Sequence, residues 1–151
     1  MPSNATLFKV NAMIQGEPRN AELPERLHQL TPAMAEHPDL IAVYLFGSQA
    51  TGDRLPTSDV DIAYLLDSPD LDRELDVEVA ITCILGTDDA DVQLLNKAPL
   101  PFQYRVVSSG RVVYSRDEPE RHRYEAEVRR AYEANKAKYE VSRQDLLQLL
   151  R

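Results

Sequence analysis

The chain is short of the features that would place it outside the cell or on a polyanion. It has one cysteine in 151 residues, so no internal disulfide can form. Cys83 stands in an apolar helical run and reads as a small buried hydrophobe. No apolar run is long enough to span a bilayer, and the N-terminus carries no basic-then-apolar leader. The expected location is therefore the cytoplasm, with no membrane partner. Basic patches are also missing. The net charge is −8, and the Arg and Lys of the C-terminal stretch are interleaved with Glu. A protein that grips a nucleic-acid backbone needs a basic face, so no nucleic-acid substrate is expected. At this length the chain makes one domain with a real core.

What is present is concentrated between Gly47 and Asp61, which read GSQATGDRLPTSDVD. An apolar β-type segment precedes it (Ile41 to Phe46) and another follows (Val60 to Leu66). Gly47 lets the backbone turn out of a strand without a Cβ in the way. Ser48 offers a hydroxyl and an N–H, the arrangement that cradles phosphate oxygens. Asp59 and Asp61 are two apart, so on a strand their carboxylates share a face. Alone, a Gly-Ser pair is a turn and an Asp-x-Asp is a solvated strand end. Together, each beside a strand, they describe a Mg²⁺ site awaiting a nucleotide's oxygens.

Around this centre the chain reads as α/β (α+β). Residues 1–20 form an N-terminal extension, 21–115 a core, and 116–151 a helical C-terminal extension of the same domain. Leu23, Leu27, Leu30 and Met34 recur at helical spacing, with Pro32 predicting a kink or a break. His28 and His37 are nine apart with no third ligand and read as surface histidines. Asp39–Phe46 and Asp59–Leu66 are the first two strands, the second covered on both faces. Leu71, Leu75, Val79 and Cys83 then mark a helix ending at Gly86. Its acids Asp72, Glu74, Asp76 and Glu78 are placed mostly on the outer face.

Asp88 to Asn96 reads as a third strand opened by acids. A short helix ending at Ser109-Gly110 and an edge strand at Arg111–Tyr114 follow. The long charged helix from about Glu118 to Tyr139 carries a stripe of Tyr124, Val128, Ala131, Tyr132, Asn135 and Tyr139. That stripe suits packing against the sheet or docking of a partner. Val141-Ser142 reads as a break, with Ser142 capping a last helix.

The Gly47–Asp61 segment resembles the signature of the polymerase-beta-like nucleotidyltransferases, in the minimal nucleotidyltransferase (MNT) branch. Gly47, Ser48, Ala50, Gly52, Ser58, Asp59 and Asp61 fall in its register. Thr51 stands where that branch often has Arg, which leaves Arg54 as the nearby cation for phosphates. The resemblance extends to Leu95-Asn96-Lys97-Ala98-Pro99, by whose register Asp91 is the third metal carboxylate, with Asp89 as fallback. It implies a mixed sheet flanked by helices, a Mg²⁺ site (two ions) on Asp59, Asp61 and Asp91, and ATP as substrate. Gly47, Ser48 and Arg54 would hold the phosphates. Small stand-alone members look like antitoxins that move AMP from ATP to a tyrosine of a HEPN ribonuclease toxin, bound as a hetero-oligomer. Two alternatives follow from the same resemblance: a binding antitoxin that silences the toxin by occlusion, and a small-molecule nucleotidyltransferase of the aminoglycoside-modifying type. Arg116 and His122 mimic the spacing of a HEPN ribonuclease motif, here by coincidence.

Overall fold

The computed structural model describes residues 23–47, 60–86 and 90–149. In order these are α1 (Leu23–Met34), β1 (Leu40–Phe46), β2 (Val60–Leu66), α2 (Leu71–Leu85), β3 (Ala90–Leu94), α3 (Leu100–Ser109), β4 (Arg111–Ser115) and α4 (Glu118–Leu149). The strands form one mixed sheet in the order β3-β2-β1-β4. β1 is antiparallel to β2 and β4, while β2 and β3 run parallel. The β1–β2 register shifts between Leu40 and Ala42.

Both central strands are nearly continuous apolar runs because both sheet faces are covered. On one face Leu27, Leu30 and Met34 of α1 and Val77, Ile81 and Leu85 of α2 pack on Leu45, Ile62 and Leu66. On the other, Val106 and Phe102 of α3 and Tyr124 of α4 pack on Phe46, Ala63 and Leu65. Alternation along β2 therefore decides which face each residue serves. Ile62, Tyr64 and Leu66 point toward α1 and α2, and Asp61, Ala63 and Leu65 toward α3 and α4.

Two of the buried strand tyrosines, Tyr44 and Tyr64, are each tied to a helix by a glutamate. The Tyr44 hydroxyl donates to Glu125 Oε1 of α4 at 2.9 Å, and the Tyr64 hydroxyl to Glu78 Oε1 of α2 at 2.8 Å. Burial, the hydrogen bond and the glutamate's charge all push both phenols well above the ordinary tyrosine range. Tyr124 is raised as well, by burial and then by the Glu125 charge. These three phenols stay neutral in the fold at a pH where the unfolded chain ionises them, above about pH 10. Their stabilisation is whole below that pH and is lost as pH rises beyond it. With about 1.4 kcal/mol per pH unit for each group, the loss is on the order of 4 kcal/mol per unit for the three. Tyrosinate absorbance and circular dichroism should therefore change together in one cooperative alkaline transition. Buried tyrosines ionising gradually while the dichroism stays native would contradict this.

Four sequence expectations are corrected. Helix α1 runs through Pro32 and ends two residues later at Met34, so no break into two helices occurs, although Pro32 forfeits one i→i−4 hydrogen bond. Helix α4 is continuous from Glu118 to Leu149. Val141-Ser142 contains neither Gly nor Pro, and a helix absorbs both residue types at modest cost. On α2 the helix and its Gly86 cap are as expected, Gly86 being left-handed with its N–H on the Thr82 carbonyl. The buried seam, however, is Val77, Ile81 and Leu85, while Leu71, Leu75 and Val79 face solvent. Its acids consequently divide: Asp72 and Asp76 are exposed, but Glu78 reaches Tyr64, and Glu74 bonds Lys97 at 3.0 Å. Of the flanking calls, residues 1–20 lie outside the described residues.

Candidate active site

The end of β1 and the starts of β2 and β3 meet at one rim of the sheet. Phe46 is the register partner of Asp61, and Asp61 is the register partner of Asp91 across the parallel β2–β3 pair. Partners in adjacent strands point the same way, so the two carboxylates sit side by side on the α3/α4 face. Asp61 is half-buried and Asp91 exposed. Among the described residues β3 is an edge strand of the sheet.

Gly47 closes the arrangement from β1. Its φ is +75°, and a Cβ built there would lie 2.5 Å from Asp61 Oδ2. Two demands thus meet at one residue, a left-handed backbone and close approach to a carboxylate, and only glycine meets both. The Gly47→Ala variant should lose about 1–2 kcal/mol from the backbone alone. Displacing Asp61 by on the order of 1 Å should also cost about 100-fold in any reaction that depends on it. Urea unfolding and turnover assays on one preparation would check both. Full activity in Gly47→Ala would remove Asp61 from the site.

Gln93, which sequence reasoning did not single out, shapes this rim, and Asn96 of the Leu95–Pro99 run braces the far end of the same two strands. Gln93, two along from Asp91 and on its face, donates from Nε2 to Asp91 Oδ2 at 3.0 Å. The i, i+2 spacing on a strand was the available signal. Asn96 ties the turn after β3 to the end of β2: Leu66 N–H donates to its Oδ1 at 2.9 Å and its Nδ2 donates to the Leu66 carbonyl at 2.7 Å. That clamp adds a side-chain rung beyond β3 and supports the Asp61–Asp91 register.

Ser48, Arg54 and Asp59 lie outside the described residues, as do Thr51 and Asp89. Among the described residues no group of three or more His, Cys, Asp or Glu side chains gathers as a metal site. The donor chemistry present, two adjacent carboxylates at the sheet's rim, nevertheless suits a hard divalent cation such as Mg²⁺, which keeps several waters and takes few protein ligands. A groove of about 350 Å³ between α1 and β4, lined by His28, Thr31 and Arg111 among others, lies at the opposite edge of the sheet. It holds no carboxylate. No helix among the described residues is long and apolar enough to cross a membrane.

Comparison with solved structures gives the same architecture. One match is a chain of a toxin–antitoxin complex with AMP-PNP (TM-score 0.66, 22% identity, covering 80% of this chain and 98% of that one). Another comes from the tri-AMPylated Shewanella oneidensis HEPN toxin in complex with MNT antitoxin (TM-score 0.63, 21% identity, 82% and 98%). A third is from the toxin–antitoxin complex MntA–HepT (TM-score 0.62, 20% identity, 82% and 98%). At these identities the likeness is one of fold. The curated proteins contain no match. The family model described as polymerase beta, nucleotidyltransferase, matches residues 28–119, well over half of the chain and inclusive of the whole carboxylate rim. The chain belongs to the polymerase-beta nucleotidyltransferase family.

Proposed function

We propose that the protein is a Mg²⁺-dependent adenylyltransferase acting as an antitoxin, moving AMP from ATP to a tyrosine hydroxyl of a HEPN toxin. The observation that carries this reading is the register that sets Asp61 beside Asp91 against the Gly47 turn. The acidic charge disfavours a nucleic-acid acceptor. Three of the matched solved structures are toxin–antitoxin complexes, one with AMP-PNP and one with an AMPylated HEPN toxin.

In this reading Asp59, Asp61 and Asp91 hold the cation, and Gly47, Ser48 and Arg54 hold phosphate oxygens. When bound, Mg²⁺ neutralises charge on the phosphates and on departing pyrophosphate. The chain's own residues do the rest. Asp91, exposed at the sheet edge, meets the acceptor and takes the proton of its hydroxyl. Gln93 holds one Asp91 oxygen and leaves the other turned to the reaction. The new bond joins the tyrosine oxygen to the α-phosphorus, the bond to the β-phosphate oxygen breaks, and pyrophosphate leaves.

The test co-expresses the chain with the product of its neighbouring gene and weighs that intact partner by mass spectrometry. A gain in units of AMP with wild type, absent with Asp59→Asn/Asp61→Asn, is the expected result. An unmodified partner that still co-purifies would favour silencing by occlusion. Pyrophosphate release dependent on an aminoglycoside would favour a small-molecule acceptor.

A further inference from the structure

The outer face of α2 carries an apolar ridge that nothing in the described structure covers. Leu71, Leu75 and Val79 follow one another at i, i+4 and i+8, and they are 70%, 49% and 59% exposed. A helix can bury one seam against its own sheet, and on α2 that seam is Val77, Ile81 and Leu85. The ridge is a second seam.

The charges beside it indicate what covers it. Arg73 is taken up by Asp39 at 3.0 Å and Asp70 at 3.4 Å, Glu74 by Lys97, and Glu78 by Tyr64. Asp72 and Asp76 are left, exposed and with no partner among the described residues, one turn apart along the ridge. Like charges at i, i+4 repel, and a partner bearing Lys or Arg beside an apolar seam relieves them. This is an apolar interface centre with a charged rim of one sign.

We infer that the Leu71–Leu75–Val79 ridge, bordered by Asp72 and Asp76, is the docking surface for the protein that the site modifies, and that it receives a helix with an apolar seam edged by basic residues. The inference rests on the adenylyltransferase reading for the partner's identity, the HEPN toxin. A ribonuclease needs basic residues to hold its RNA, and an acid-rimmed ridge is their complement. α2 covers the sheet face opposite the Asp61–Asp91 pair. It ends at Leu85, and the chain then enters β3, an edge strand among the described residues, which carries Asp91. A partner seated on the ridge therefore presents its acceptor to the pair by reaching around that edge.

The test measures affinity for the purified HEPN partner in chains that also carry Asp61→Asn, so that no modification occurs during the titration. Asp61→Asn alone should bind as wild type does. Adding Leu75→Asp/Val79→Asp should weaken Kd by on the order of 100-fold, the loss of two central apolar contacts. The milder Leu75→Gln/Val79→Thr should weaken it in the same direction with the helix intact by circular dichroism. Asp72→Lys/Asp76→Lys should lower affinity and make it rise with salt, where wild-type affinity falls. Ridge variants that bind within threefold of wild type would overturn the inference. So would a wild-type chain that sediments as a dimer while the ridge variants sediment as monomers, because a second copy would then be the occupant. A partner that binds through the ridge but gains no AMP from the wild-type chain would leave the docking surface standing and remove the adenylylation reading.

Discussion

On the adenylyltransferase reading, Asp61→Asn should abolish AMP transfer while the fold stays intact. Asp61 and Asp91 are register partners on neighbouring parallel strands, so their carboxylates share one site. A divalent cation would need both charges, and a neutral amide would remove one of them. Activity should fall by at least about 1000-fold, since electrostatic stabilisation of the transferring phosphoryl group is the main catalytic term in such chemistry. Thermal melts with and without Mg²⁺ provide a second readout. Added Mg²⁺ should raise the wild-type Tm and leave that of Asp61→Asn unchanged. A variant that melts well below wild type would show that Asp61 is a structural residue. A variant that still transfers AMP would remove it from the chemistry.

The rim was legible because its determinants are local. A glycine that ends one strand and an acid at the start of the next are both visible along the chain. Their pairing follows from antiparallel β1 and β2 joined by a single connection. Asp91 lay farther off. It was placed through the resemblance at Leu95-Asn96, and the structure gives that dipeptide a physical part: Leu95 is buried, and Asn96 clamps Leu66. The clamp acts on the strand that carries Asp61, so motif and register are two views of one constraint. Ser48, Arg54 and Asp59 lie outside the described residues, and their roles stand as part of the proposal.

Helix α2 shows why the rest was not legible. Leu71, Leu75, Val79 and Cys83 repeat every four residues, as do Val77, Ile81 and Leu85, and periodicity alone cannot choose between two seams on one helix. The choice is made by tertiary contacts, here with the α1 leucines and with Tyr64, whose hydroxyl also draws Glu78 inward. An acid run that looks like a solvated face thus supplies the acceptor for a buried tyrosine's hydroxyl. Glu125 on α4 was invisible for the same reason. It reads as one of many charges on a long polar helix, yet it is 7% exposed and faces the sheet.

Glu125 accordingly carries the largest expected effect on stability. Its Oε1 accepts from the Tyr44 hydroxyl at 2.9 Å and from Arg121 Nη1 at 2.7 Å. Arg121 is further held by Ser115 Oγ at 3.1 Å and by Glu118. Tyr44 is 1% exposed, in the middle of β1, so its hydroxyl has no water to turn to. Glu125→Ala would leave that hydroxyl without an acceptor and Arg121 without its more buried counter-charge. Breaking a buried ion pair on one side costs about 3–5 kcal/mol, the remaining charge being the main expense. Against a total of about 5–15 kcal/mol for a domain of this kind, that is enough to lower Tm by on the order of 10 °C. Tyr44→Phe is the informative comparison. It removes the hydroxyl together with its need for a partner and leaves Glu125 on Arg121, so it should cost only about 1 kcal/mol. If loss of the more buried counter-charge is what matters, Glu125→Gln should fall between the two, because the amide still accepts from Tyr44 but leaves Arg121 only Glu118 as its counter-charge. Equal losses in Glu125→Ala and Tyr44→Phe would instead assign the effect to the single hydrogen bond. The consequence reaches the rim as well, because Tyr44 is two residues from Phe46 on the same sheet face, and Phe46 meets Phe102 edge-on at 5.3 Å beside the Gly47 turn. Loosening α4 at Glu125 therefore loosens the floor beneath Asp61, and Glu125→Ala should lose activity on warming before it loses helical dichroism.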